Sequence, residues 1–303
     1  MRPKRGKTLR IILRNSRLRA APALNKRAYN MGVLTIYDDY MGKNAKCNGQ
    51  DAYSMVTKQT YNAVAHTYGH TRCGKGAWRE ELQYLLKVLP EKRGLRLCDL
   101  GCGTGRVLQF LVEEKVHFVH YVGVDYSQAM LREVQGWMEK FFPSQGISLQ
   151  SGPILPRLSW LARWLQRLKV SSSRIELVEA PMQEIDPQEE AYDVVTMAAS
   201  FHHLLSREDR ETVLELVSWM LAPGGVLYMS NWQVSDALRT KTDLGEGIWK
   251  VHFGGKSGGD RYYYQLSAEE LTELLLYAGF EDIQHHALST GNLVTTAKKP
   301  HDA

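Results

Sequence analysis

The stretch Leu95-Arg-Leu-Cys-Asp-Leu-Gly-Cys-Gly-Thr-Gly105 decides how the rest of the chain is read. A short apolar run breaks into Gly101, Gly103 and Gly105, spaced by two, and residues 106–116 follow with helical spacing. Glycines let the backbone turn sharply and approach a ligand with no Cβ in the way, and the free N–H groups of the next helix point at the same spot. About twenty residues on, Tyr121-Val-Gly-Val-Asp125-Tyr-Ser is a second apolar strand ending in a carboxylate, placed to accept both hydroxyls of a ribose.

Nucleotide sites and plain tight turns share such a strand-to-helix turn, so the spacing matters. A pyrophosphate cradle uses G-x-G-x-x-G, whereas here G-x-G-x-G is preceded by Asp99. That anion repels a pyrophosphate but suits a ligand carrying an amino group and a sulfonium. The segments Leu97-Cys-Asp-Leu-Gly-Cys-Gly-Thr-Gly105 and Val122-Gly-Val-Asp125 resemble class I S-adenosyl-L-methionine (SAM)-dependent methyltransferases. A nicotinamide dehydrogenase and a purely structural glycine turn are the rival readings.

The pattern around the motif is regular. Strands are expected at 95–100, 119–125, 175–179, 192–199 and 226–230, with helices at 106–116, 127–141, 207–221 and 267–278. Strands at 282–288 and 292–298 are joined at Thr290-Gly291-Asn292, a hairpin signal. Upstream, 61–68 reads as a short amphipathic helix and 78–89 as a second one ended by Pro90. The expected fold is α/β: a doubly wound, mostly parallel seven-stranded Rossmann-like sheet with an antiparallel C-terminal strand. Ligands of such sheets sit at the carboxyl ends of the strands, where the strand order reverses.

A length of 303 residues with 44% apolar side chains suits one domain plus extensions. We expect a basic, disordered N-terminal extension at 1–55 and the methyltransferase domain at 56–300, with an inserted segment at 143–173. The net charge of +5 hides an asymmetry: residues 1–30 hold ten basic side chains and no acid, leaving 28 basic against 33 acidic in the remainder. The arm reads as an RNA-binding tail, a targeting peptide, a solvated tail, or sequence upstream of a later initiator such as Met55. In the insertion, Leu158, Leu161, Trp164, Leu165 and Leu168 share a helical face flanked by basic residues. It reads as a docked surface helix, a basic substrate or RNA contact, or a membrane-surface helix. Cys47, Cys73, Cys98 and Cys102 form no C-x-x-C pair, which points to a reduced, cytoplasmic protein. No His/Cys cluster has zinc spacing, so no metal is expected, and no run is long enough to span a membrane.

The resemblance implies site residues. Gly101, Gly103 and Gly105 would wrap the methionine part of SAM, with Asp99 facing its amino group directly or through water, and Tyr126 would lie against adenine beside Asp125. The adenine amino group falls to Glu179 or, if Met182 is the anchor, to backbone alone. Ala199 is a small residue admitting the cofactor, or plain core. His202 and His203 would lie near the transferred methyl, as a base for an amine or hydroxyl acceptor or as loop histidines bonded to a carbonyl.

On the acceptor side, Arg261-Tyr262-Tyr263-Tyr264 follows a glycine-rich stretch read as a flexible loop. With Ala278-Gly279-Phe280, Tyr61-Asn-x-x-Ala-x-x-Tyr68-x-x-Thr71-Arg72, Trp78 and the His pair, it resembles tRNA wobble-uridine methyltransferases that esterify a carboxymethyl group. Gly103-Thr104-Gly105 stands where those enzymes often show Gly-Asn-Gly. Tyr61 and Arg72 are assigned to the cofactor, and Arg261 and Tyr262 to catalysis. An arginine with tyrosines suits a planar anion, or else the rings are core aromatics. The partners expected are a tRNA or small-molecule acceptor and a small activating protein.

Overall fold

The computed structural model describes residues 49–72, 77–141, 147–151, 174–185, 189–235, 238, 240–253, 258–289 and 291–301. In chain order the elements are α1 (Gly49–Arg72), α2 (Ala77–Val88), β1 (Leu95–Leu100), α3 (Arg106–Glu113), β2 (Phe118–Asp125), α4 (Gln128–Phe141), β3 (Ile147–Ser151) and β4 (Arg174–Glu179). There follow β5 (Tyr192–Ala198), α5 (Arg207–Met220), β6 (Leu221–Trp232), β7 (Lys241–Asp243), β8 (Ile248–Phe253), β9 (Gly259–Tyr264), α6 (Ala268–Tyr277), β10 (Glu281–Ala287) and β11 (Asn292–Lys298).

The main sheet runs β10-β11-β6-β5-β1-β2-β4-β3. Strands β6-β5-β1-β2-β4-β3 are parallel, and β11 is antiparallel to both β6 and β10. The seven expected strands are all present, and an eighth, β3, is added at the edge from within the 143–173 insertion. Strand β1 sits between β2 and β5, so consecutive connections leave it in opposite directions and open a crevice at its carboxyl end.

Alternation along the buried strands builds two cores. Leu97, Tyr121, Leu177, Val194 and Tyr228 face one layer with Leu82, Leu85, Leu108, Leu111 and Leu131. Cys98, Val122, Val178, Val195 and Met229 face the other with Val213, Leu214, Leu271 and Leu274. Ser267 caps α6, its hydroxyl accepting the Glu270 N–H at 3.1 Å.

Two regions depart from the sequence reading. Helix α1 spans 24 residues and begins at Gly49, inside the segment expected to be disordered. Its early turns have a partner: Tyr53 stacks on Tyr262 with ring centres 4.2 Å apart. Most of the glycine-rich loop expected before Arg261, 254–257, lies outside the described residues, and the chain on either side of it forms a second, antiparallel sheet, β7-β8-β9, that the sequence reading did not include. Val251 lies opposite Arg261 and Trp249 opposite Tyr263, so these side chains share one face. Helix α1 is fastened to this sheet: the Thr60 hydroxyl donates to the Asp260 carbonyl at 2.7 Å, and Thr57 Oγ1 accepts the Tyr262 N–H at 3.1 Å. The arm at 1–48, the amphipathic run at 158–168, Cys47 and Cys73 lie outside the described residues.

Candidate active site

Two adjoining cavities open at the carboxyl ends of β1 and β5. The first, about 260 Å³, is lined by Gly101, Gly103, Thr104, Arg106, Asp125, Tyr126, Met182, Glu184, Ala199 and Tyr61, among others. The second, about 240 Å³, is lined by Trp78, His202, Trp232, Phe253, Arg261 and Tyr263 and shares Tyr61, Tyr68 and Ala199 with the first.

The glycines divide the work. Gly101 has φ +74°, and a Cβ there would meet the Ser200 Cβ at 2.3 Å. Gly105 has φ +79° and precedes α3; a Cβ there would press on Val134 at 3.1 Å, so this glycine serves helix packing and does not line the cavity. At Gly103 a Cβ would meet nothing within 4 Å. That glycine borders open volume where a ligand approaches.

Asp125 lies at the cavity wall as expected. Its two carboxylate oxygens accept the N–H groups of Gly103 and Ser127, each at 2.8 Å. Burial nonetheless raises its pKa from 3.8 to about 6. Tyr126 and Met182 also line this cavity.

Several expected contacts are corrected. Asp99 is buried behind the glycine turn and does not line the cavity; its oxygens accept from Thr196 Oγ1 at 2.6 Å and Tyr121 Oη at 2.8 Å. Glu179 is also absent from the lining, and one oxygen accepts from the Gln128 side chain. The acid of that loop that does reach the cavity is Glu184, whose pKa burial raises. Tyr262, assigned to catalysis, points away toward Tyr53, because neighbouring residues of a strand face opposite sides. Arg72 closes α1, and its side chain lies outside the described residues.

The histidines are tied down. His203 Nδ1 lies 2.8 Å from the Tyr262 carbonyl, which only accepts, so Nδ1 carries the proton. Its Nε2 then accepts from the Tyr61 hydroxyl at 2.9 Å. Burial lowers the His203 pKa to about 3. His202 Nδ1 accepts the Trp232 N–H at 3.1 Å, which leaves the proton of the neutral ring on Nε2. Burial, with His203 and Arg261 nearby, holds His202 well below its ordinary value.

Arg261 is 6% exposed. Its guanidinium carbon lies 3.9 Å from the Phe253 ring centre and 5.4 Å from those of Tyr61 and Tyr263. One Nη donates to the Tyr61 hydroxyl at 3.3 Å, while Nε is buried with no partner. No ion pair to a carboxylate forms among the described residues.

The comparisons with known proteins bear on this geometry. A family model described as a methyltransferase domain matches residues 68–285, most of the chain. The chain belongs to the methyltransferase domain family. Similar solved structures include a Burkholderia thailandensis 1,6-didemethyltoxoflavin N1-methyltransferase with its substrate and S-adenosylhomocysteine, 20% identical, covering 85% of this chain and 93% of that one at a TM-score of 0.54. The SAM-bound amino pentose methyltransferase CalS10 from Micromonospora echinaspora is 19% identical over 78% and 95%, with a TM-score of 0.52. The Haloferax volcanii methyltransferase partner of the Trm112 activator is 14% identical over 82% and 99%, with a TM-score of 0.53. An uncharacterized Haemophilus influenzae protein is 27% identical over 147 residues, 48% of this chain and 45% of that protein. The chain thus spans about half the length of the curated relative it matches.

This is the fold of SAM-dependent methyltransferases, and SAM is the cofactor that the first cavity fits. Gly103 leaves room for close approach, and Asp125 offers acceptors for ribose hydroxyls. The sequence missed Lys58, Arg106, Glu184, Trp232 and Phe253 as lining residues. Only Arg106 had a local signal, a cation directly after the glycine run. No metal-binding cluster of His, Cys, Asp or Glu occurs among the described residues, and none of their helices is long and apolar enough to cross a membrane.

Proposed function

We propose that this methyltransferase esterifies a carboxylate on a planar acceptor, and that the acceptor is a tRNA wobble uridine bearing a carboxymethyl group. The observation that supports this is the buried, aromatic-walled Arg261 with no carboxylate of its own. A planar guanidinium recognises a carboxylate in two-point fashion, and the rings offer faces to a base.

The donor inventory agrees. The second cavity offers Arg261 N–H groups and the Nε2–H of His202. His203 has both nitrogens committed and stays neutral down to pH about 3. It cannot take a proton from an acceptor at neutral pH. Such a site suits a nucleophile that arrives already ionised. SAM, when bound, supplies a methyl group activated by its sulfonium. The chain's own residues align the acceptor, stabilise its anion and exclude water, which is most of what an in-line displacement needs. Tyr61, Tyr68 and Ala199 line both cavities, which supports a meeting point of donor and acceptor between them.

A small acidic metabolite is the second reading. The excess of acid over base outside residues 1–30 opposes a large phosphate-binding surface, and the toxoflavin and amino pentose enzymes act on small molecules. The neighbour bound to the Trm112 activator supports a small activating protein as partner in the tRNA reading. Cys98 and Cys102 are free thiols, which supports a cytoplasmic setting.

The test is incubation of the full chain and labelled SAM with total tRNA and, separately, with a metabolite extract. Mild alkali is then applied to each product. Label in tRNA released as methanol supports the proposal; alkali-labile label in metabolites alone favours the second reading. Label stable to alkali would reject ester formation and with it the carboxylate acceptor.

A further inference from the structure

Arg210, near the start of α5, is a buried cation to which the reaction gives no task. It is 2% exposed and lines neither cavity. Its guanidinium reaches four other places in the chain. Nη1 donates to the Leu204 carbonyl at 2.8 Å and to the Leu205 carbonyl at 3.0 Å. Nη2 donates to Glu270 on α6 at 3.3 Å, and the guanidinium carbon lies 3.6 Å from the centre of the Tyr264 ring on β9.

These contacts join two walls of the acceptor cavity. Leu204 and Leu205 come directly after the single turn Phe201–His203, which carries both histidines. Tyr264 comes directly after Tyr263 and three residues after Arg261. On the cavity side the same two segments meet through the Nδ1–H of His203, which donates to the Tyr262 carbonyl. Tyr263 there lies 4.8 Å from the His203 ring and 5.1 Å from that of His202, centre to centre. Burying a charge is costly, and an apolar side chain of similar volume would fill the space more cheaply. A guanidinium bonds carbonyls with its edge while its flat face lies on a ring, which an ammonium cannot do.

We propose that Arg210 is a positioning residue for the methyl acceptor, clamping the histidine turn to β9 so that His202 and Arg261 stand at a fixed spacing. The inference rests on the second cavity as the acceptor site and names what holds its walls in register. Held this way, the Nε2–H of His202 and the Arg261 guanidinium present a rigid set of donors. In-line transfer tolerates little play: a misplacement of about 1 Å costs on the order of 100-fold in rate. The clamp also fixes the proton of His203, because its Nδ1 keeps its carbonyl partner only while the turn stays against β9.

The test reads His203 directly, by nitrogen NMR of the full chain labelled in histidine, its signal assigned through His203→Gln. In wild type the proton should sit on Nδ1, and the ring should stay neutral wherever the chain is folded. Arg210→Lys and Arg210→Met should free the proton from Nδ1 and let the ring titrate above about pH 5, as an unconstrained imidazole does. Transfer of label from SAM to total tRNA or to a metabolite extract, whichever the wild type modifies, should fall roughly 10- to 100-fold. S-adenosylhomocysteine affinity by calorimetry should hold within about threefold, since Arg210 lines neither cavity. Scanning calorimetry establishes that each variant is folded. Tyr264→Leu removes only the stacking face, and it decides by the same signature if the arginine variants do not fold. A wild-type His203 signature in the folded variants would overturn the clamp, and so would loss of cofactor affinity in step with transfer. A wild type that modifies neither extract would instead reject the acceptor reading, while the His203 signature still decides whether Arg210 holds the turn.

Discussion

Arg261→Met is the substitution that most sharply separates a functional arginine from a structural one. The side chain is 94% buried and has aromatic rings on several sides, yet no anion faces it among the described residues. Replacing a buried charge by an apolar side chain of similar volume is often neutral or stabilising by about 1–4 kcal/mol. Lost cation–π contacts to three rings, worth roughly 0.5–2 kcal/mol each, offset that gain. The balance is near zero or slightly unfavourable. At about 2–4 °C per kcal/mol for a domain of this size, the melting temperature should stay within about 5 °C of wild type.

Activity should fall far more than stability. Loss of charge-assisted bonds to a carboxylate costs about 1.5–3 kcal/mol, so kcat/KM for the acceptor should fall roughly 10- to 150-fold. S-adenosylhomocysteine affinity should hold within about twofold, because Arg261 lines the second cavity and not the first. Arg261→Lys should recover little turnover. Scanning calorimetry, titration calorimetry and steady-state kinetics on the same preparations check the three parts. A melting temperature lowered by more than about 5 °C, together with weakened cofactor binding, would refute the reasoning: Arg261 would then be cement between α1 and β9, and the case for an anionic acceptor would lose its main support.

Other consequences can be checked alongside. The Asp125 carboxyl, with a pKa raised from 3.8 to about 6, gives the free protein stability that is fully present below pH 3.8 and lost as the pH rises through 6, where the buried group ionises. The ionised form is the better acceptor for ribose hydroxyls, so S-adenosylhomocysteine affinity measured by calorimetry should rise through pH 6 and level off by about pH 7; Asp125→Asn should flatten that dependence and lower affinity at pH 7.5 by about tenfold or more. Gly101→Ala should lower the melting temperature by the equivalent of about 2–4 kcal/mol, from the Ser200 clash and the positive φ, while Gly103→Ala should cost only about 1 kcal/mol yet still impair cofactor binding. A chain beginning at Met55 should melt a few degrees below one beginning at Gly49, since it loses the Tyr53–Tyr262 stack, worth about 0.5–1.5 kcal/mol; equal melting would show that the first turns of α1 contribute nothing.

The cofactor half was legible because its signals are local. Glycine spacing, the acid at the end of β2 and the alternation of strands with helices are all written within a few residues of where they act. Asp99 and Glu179 misled because an acid at a strand end looks the same in sequence whether it faces a ligand or a neighbouring hydroxyl; Thr196 and Tyr121, which take up Asp99, come from other strands. The small sheet escaped because glycines and lysines around Val251 and Phe253 mask a two-residue alternation that was present. Tyr262 escaped for the same reason, since one step along a strand exchanges the cavity face for the opposite one. Helix α1 was cut short because its early turns are held by Tyr262 and Asp260, about 200 positions away, rather than by a continuous apolar stripe.

The long-range contacts also bear on the chemistry. A histidine pair just after β5 suggests a base when read alone, because an isolated imidazole titrates near neutrality. Here the pairings that bury the rings also decide their protons. The Tyr262 carbonyl fixes one on Nδ1 of His203, and the Trp232 N–H excludes one from Nδ1 of His202. Tyr61, donating to His203 and accepting from Arg261, therefore holds a guanidinium at the acceptor cavity and leaves His203 no lone pair for substrate. The same bonds that make the histidines poor bases make the cavity a good host for an anion. An acceptor that had to lose a proton during transfer would find no residue in this network to receive it, whereas a carboxylate needs none.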